Sequence, residues 1–364
     1  MATLDRREWL KKSALTLAGI GLAGRMSSLY AQEEYTDYIK ISSNENPYGP
    51  SPMAVEAMIK AVTSSNRYPW QVTAELKEKI GLKHGLSADH VLVGAGSSEL
   101  LGIIAAYAGR EPGNMVAGHP TFKLWFNAAE SFGLQIRKIP LTPDKYHDIP
   151  AMVAAMDDKT RLVYIVNPHN PTGTVLSHTV MENAVRSFTH QSLLLLDEAY
   201  IDYIDEPGQA QLVKENKNLI IAKTFSKVYG MAGARAGYIL AHPEMIQSIS
   251  SWMAWPNAGV STVSLAGALA ALDDHAFAQM TRSKNNAVKD MVTQALTEIN
   301  VPVIPSSTSF IYYDTSALKH DVAAACVAAN IHGVRTYEEG TAWRRTSLGT
   351  MAEMERFIDV VRKC

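Results

Sequence analysis

Short runs of unbroken apolar residues, recurring between helical patterns, constrain this chain most. Val91-Leu92-Val93, Met115-Val116-Ala117, Leu162-Val163-Tyr164-Ile165-Val166, Leu193-Leu194-Leu195-Leu196, Leu219-Ile220-Ile221-Ala222 and Tyr238-Ile239-Leu240 are each too short for a buried helix. None alternates with polar residues, as a strand with one wet face would. Runs of this kind, spaced by helices, predict a mainly parallel sheet covered by helices on both faces, an α/β architecture. Ligands of such sheets bind at the strand ends. From 259 the pattern changes to long helices with short strands around 310–313 and 346–348, and a last helix over 351–362. We read this as a smaller α+β domain. The expected division is 1–31 as a leader, 32–70 as an arm packing with the small domain, 71–258 as the large domain and 259–364 as the small one.

Within the arm, Asn46-Pro47-Tyr48-Gly49-Pro50 excludes regular structure, and Ser51-Pro52 opens a helix with Val55, Met58, Ile59 and Val62 on one side. A second helix is expected over 73–84 and a third over 100–108. With 364 residues and 47% hydrophobic content, a sizeable core can form. A formal net charge of -2 gives no reason to expect nucleic acid or an anionic membrane as partner. Two cysteines do not make a disulfide framework, and no metal-ligand spacing is present.

The leader carries Arg6-Arg7-Glu8-Trp9-Leu10-Lys11-Lys12 ahead of a mildly apolar stretch over 13–24. That stretch falls short of the roughly 20 residues a membrane-spanning helix needs. The segment looks like a twin-arginine export signal, cut after Ala31, which would place the mature protein in the periplasm. A basic amphipathic helix on a cytoplasmic protein is the other reading.

Chemistry-bearing residues gather at the ends of the expected strands. The run 219–222 leads into Thr224-Phe225-Ser226-Lys227-Val228-Tyr229, with Arg235 shortly after. A lysine held partly desolvated beside a cation loses proton affinity and becomes a nucleophile and base. The run 193–196 ends in Asp197, a carboxylate in an apolar setting that needs a partner. Gly96-Ser97-Ser98 lies between a strand and a helix, where backbone N–H groups can hold an anion; the serines can equally be helix caps. Thr224, Ser226 and Arg235 add hydroxyls and a planar cation suited to phosphate.

Asn167-Pro168-His169-Asn170-Pro171-Thr172-Gly173, Asp197, Tyr200, Lys227 and Arg235 occur in the order and at spacings that resemble the fold-type I aminotransferases, most closely the histidinol-phosphate aminotransferase family. The resemblance implies pyridoxal 5'-phosphate as cofactor, carried by Lys227, with Asp197 opposite its ring nitrogen and Asn170 and Tyr200 at its 3-oxygen. It implies a stacking role for Trp125, in His119-Pro120-Thr121-Phe122-Lys123-Leu124-Trp125, though a plain core role is open to that residue. It implies a homodimer in which Tyr68 reaches the neighbouring subunit's cofactor phosphate. Arg345 and Arg335 match substrate-anion arginines, with Arg344 leaving the register open by one, and Asn46 and Tyr48 match residues at the substrate entrance.

The expected activity is transfer of an amino group from an amino acid or amino alcohol phosphate to a 2-oxo acid. A decarboxylase resembling the threonine-phosphate enzymes and an exported binding protein without turnover are the alternatives. Ser-Ser-Glu follows Gly96 where the family more often has Ser-Asp-Glu, and His169 stands where asparagine is usual.

Overall fold

The computed structural model describes residues 38–364, so the export reading at Arg6 and Arg7 lies outside the described residues. The chain opens with the short strand β1 (Ile39–Lys40) and continues into β2 (Val91–Gly94), β3 (Gly113–His119), β4 (Leu134–Pro140), β5 (Thr160–Val166), β6 (Leu193–Asp197), β7 (Leu219–Thr224) and β8 (Gly237–Ala241). The seven strands from β2 to β8 form one sheet in the order β2-β8-β7-β6-β5-β3-β4. Six of them run in one direction, and β8 runs against them, antiparallel to both β7 and β2.

All six expected strands form. The continuous apolar runs are buried on both faces, as their composition requires: Leu194 and Leu196 face one core with Phe188, Ile221 and Phe225, while Leu195 faces another with Tyr164, Ile220 and Trp125. A seventh strand, β4, escaped the sequence reading. It sits at the sheet edge and exposes Gln135 while burying Leu134, so it lacks an unbroken apolar run.

The helix Pro52–Ala61 is capped by Ser51, whose hydroxyl accepts from the Ala54 N–H. Ala54 packs with Leu265, Ala268 and Ala271 of the helix Thr262–Ala271 in the same core as Leu76 and Ile80. That helix, expected in the small domain, thus packs on the helices Pro52–Ala61 and Trp70–Lys83 in a core shared with the large sheet. The small-domain core joins Ile39 and Ile41 to Val288, Val292, Ile311, Tyr313 and Phe357. Its sheet consists of β9 (Val303–Ile304), β10 (Phe310–Asp314), β12 (Arg335–Thr336) and β13 (Trp343–Ser347) in the order β12-β13-β10-β9. β11 (Ile331–His332) pairs in parallel with β1, which stitches the start of the arm to the small domain.

Candidate active site

Strand register gathers the site at one end of the large sheet. Val166 pairs with Asp197, and Asp197 with Ala222. Thr224 and Gly94 both pair with Gly237, from opposite sides. Successive strand residues point to opposite faces, so Tyr164 and Asp197 share one face with Trp125.

Asp197 is buried, and its two hydrogen-bond donors are neutral: the Ala199 N–H at 3.1 Å and the Tyr164 hydroxyl at 3.2 Å. Burial raises its carboxyl pKa to about 6 against the relief these donors give. Lys227 follows the turn after β7, and its Nζ donates to the carbonyls of Asn44 at 3.1 Å and Ser43 at 3.3 Å. Burial, helped by the Arg345 charge and opposed by Asp197, lowers its pKa to about 8. The ammonium lies 5.5 Å from the centre of the Tyr200 ring. The Tyr200 hydroxyl accepts from Asn44 Nδ2 at 2.8 Å, and burial pushes its pKa up to about 12.

Arg345 is buried beside them. Its Nη1 donates to Asn170 Oδ1 at 2.7 Å and its Nη2 to the Ser42 carbonyl at 3.0 Å. The guanidinium lies 4.6 Å from the centre of the Tyr337 ring and 5.2 Å from that of Phe310. Its Nε is buried and carries no hydrogen bond, a donor left over for a ligand. Arg344 points elsewhere and donates to the carbonyls of Thr341 and Trp343. Arg335 is exposed, and it pairs with Arg345 across β12 and β13, so the two side chains share a face.

The anion pocket forms around Gly96. With φ +77° it opens the helix Ser97–Ala108, and a Cβ there would strike the Arg235 guanidinium. Gly237 lacks a Cβ where one would meet the Ser97 N–H, so helix N-terminus and strand end approach closely. No side chain caps this helix; Ser97 and Ser98 lie in its first turn, where N–H groups have no partner within the helix. The Thr224 hydroxyl donates to Ser226 Oγ at 2.9 Å and accepts from the Ser226 N–H.

The other expected residues have neighbours of their own. The Asn46 amide is engaged by the Val228 carbonyl at 3.0 Å and by Thr281, and its Oδ1 accepts from the Tyr48 N–H. The Tyr48 ring lies under Lys284 at 4.7 Å. Asn46 therefore anchors the arm beside Lys227. Tyr68 is 64% exposed and packs against Trp70 and Trp255 at 5.9 and 4.8 Å between ring centres. Trp125 is buried, edge-on to Tyr164 at 4.9 Å. Tyr164, Asn44, Phe310 and Tyr337 were missed by the sequence reading. Only Tyr164 left a signal, as the one hydroxyl in an otherwise aliphatic run.

These groups suit a transferase that works through pyridoxal phosphate: a carboxylate open to a cationic ring nitrogen, a lysine of lowered proton affinity and uncapped amides beside an arginine. The model of the family described as aminotransferase class I and II matches residues 36–361, and the chain belongs to that family. Among its relatives, a histidinol-phosphate aminotransferase of Geobacillus sp. is 37% identical over 282 residues, covering 77% of this chain and 76% of that protein. The one from Moorella thermoacetica is 33% identical over 333 residues, 90% of this chain and 85% of that protein. The structure of histidinol-phosphate aminotransferase from Sinorhizobium meliloti in complex with pyridoxal-5'-phosphate superimposes with a TM-score of 0.82 at 25% identity, covering 89% of this chain and 91% of that one.

Proposed function

We propose that this chain is an aminotransferase that carries pyridoxal 5'-phosphate on Lys227 and moves an amino group from an amino acid or amino alcohol phosphate to a 2-oxo acid. The observation that carries the reading is Asp197: a buried carboxylate whose hydrogen-bond donors are both neutral, and which a protonated ring nitrogen would complete. The residues present fit the cofactor. Asn170 and Tyr200 would hold its 3-oxygen side; Gly96, Ser97, Ser98, Thr224, Ser226 and Arg235 would supply amides, hydroxyls and a cation for its phosphate; Trp125 shares the sheet face with Asp197. When bound, the cofactor supplies an electron-accepting ring that stabilises negative charge on the substrate carbon that loses its proton.

The chain's own residues do the rest. Lys227, with a pKa near 8, is present in part as the free amine at neutral pH and can take and return that proton. Arg345, held by two acceptors and flanked by two rings, would offer its remaining donors to the substrate anion. Arg335 on the same face adds a second cation for a doubly charged group. Homodimerisation is part of the proposal, with Tyr68 of each copy serving its partner, and is supported by the exposure of Tyr68, Trp70 and Trp255 together. So is periplasmic placement, which rests on Arg6 and Arg7.

Borohydride reduction of the holoprotein followed by peptide mapping tests the core of the reading. The adduct is expected on Lys227; an adduct on a different side chain overturns it. Turnover that depends on an oxo acid separates the aminotransferase from a decarboxylase, which would release carbon dioxide. Periplasmic accumulation that survives Arg6→Lys with Arg7→Lys refutes the export reading.

A further inference from the structure

The turn over 142–146 in the large domain is closed by Lys145 N–H to the Thr142 carbonyl at 2.8 Å and by Thr142 N–H to the Tyr146 carbonyl at 2.9 Å. Lys145 sits in the left-handed region, φ +66°, which an unbranched non-glycine residue occupies only when its surroundings hold it there. Its Nζ reaches across to Glu338, 2.9 and 3.2 Å from the two carboxylate oxygens, in the loop between β12 and β13 of the small domain. The pair is not an ordinary surface contact: the side chains are 16% and 20% exposed. The Tyr312 hydroxyl donates to the same carboxylate at 2.6 Å, and the ammonium lies 4.9 Å from the centre of the Trp343 ring, on which Tyr312 stacks.

Both ends of this pair lead into the site. The Lys145 carbonyl accepts from the hydroxyls of Thr172 at 3.1 Å and Thr174 at 3.0 Å, which fixes the loop carrying Asn170. Glu338 follows Tyr337, whose ring covers the Arg345 guanidinium. Asn170 and Arg345 in turn bond each other. The ion pair therefore closes a ring of contacts around the substrate-anion arginine, with one side from each domain.

We propose that Lys145 and Glu338 form an interdomain clamp that positions Asn170 and Tyr337 about Arg345, and so sets how well the substrate's anionic group is held. This rests on the aminotransferase reading for what is bound, and on the contacts alone for the clamp. A partly buried pair resists loss of one partner, because the other charge is left unpaired. Loss of a contact to the substrate anion that is equal in ground and transition states raises half-saturation and leaves the limiting rate in place.

The test uses the holoenzyme with Glu338→Gln, Lys145→Met and the charge-exchanged double variant Lys145→Glu with Glu338→Lys. Hydrogen exchange is expected to quicken together over 142–147 and 336–343 in each single variant and to stay unchanged over 219–227. The glutamate concentration that half-saturates conversion of the bound cofactor, read by absorbance, should rise about tenfold while the limiting rate stays within about twofold. The double variant should recover most of both. Loosening of one segment without the other overturns the clamp. Joint loosening with unchanged half-saturation overturns the positioning role. A wild-type holoenzyme inert toward amines refutes the proposed function instead, and the clamp is then decided by exchange alone.

Discussion

Two carboxylates stand next to each other in the chain, both buried, at the end of the central strand β6 and turned to opposite faces of the sheet. Glu198 faces the core that holds Leu196 and Ile221; Lys223 lies 3.1 Å away, and its other oxygen accepts from the Gln209 N–H at 2.8 Å. Asp197 faces the core that holds Trp125 and Tyr164, and its hydrogen-bond donors are neutral. One negative charge is neutralised by the fold itself, the other is left for something that arrives. Lys223 and Lys227 divide in the same way: the first is spent on Glu198, the second is held by two carbonyls that accept its protons without adding charge. Burial alone does not mark a functional ionisable group; burial without an ion pair in contact is the stronger sign.

This contrast can be broken or sharpened. The largest effect is expected of Lys227→Ala, which should lower turnover by about 10⁴-fold or more while the phosphate pocket still retains cofactor; near-normal transamination would remove Lys227 from the mechanism. Asp197→Asn should reduce kcat by about 10² to 10³-fold and yet stabilise the cofactor-free protein. The sign follows from the raised pKa. A carboxyl at about 6 in the folded state and 3.8 as a free reference disfavours its charged form in the fold. The cost begins as pH rises past the unfolded value and is complete above about 6, where two units correspond to roughly 3 kcal/mol. A melting-temperature gain at pH 7.5 that disappears near pH 3.5 is the expected result.

Glu198→Gln should do the opposite. It leaves the buried Lys223 with Asp202 as its remaining charged neighbour, at about 3 kcal/mol of stability in denaturant titration, with kcat changed only a few-fold. The smallest effect is one of pH. In cofactor-free protein, reductive alkylation of Lys227 should rise as pH climbs through about 8 and then level off. An unperturbed lysine would keep gaining reactivity toward 10.5.

Much of this was legible in the sequence because the strands are hydrophobic throughout and end in the reactive residues. Leu193 to Leu196 hand the chain to Asp197, and 219–222 lead to Thr224 and Lys227, so local pattern and chemistry coincide. The rest depends on partners far apart in the chain. Asn44 reaches Tyr200 across 156 positions, and Arg345 reaches Asn170 across 175; no local pattern announces either. The antiparallel course of β8 is likewise a matter of connection, since an apolar run reads the same in both directions. The helix Thr262–Ala271 joins the large core because small residues such as Gly267 and Ala268 let it approach the helix Pro52–Ala61, where Met58 would meet any added Cβ at Gly267.

The arm has a consequence for how this enzyme can be lost. Ser42 takes a donor from Arg345, Ser43 and Asn44 take the lysine, and Asn44 also steadies Tyr200, all from one irregular segment whose start is woven into the small domain. A single proteolytic nick within 42–48 would silence the molecule although every group touching the reacting atoms survived intact.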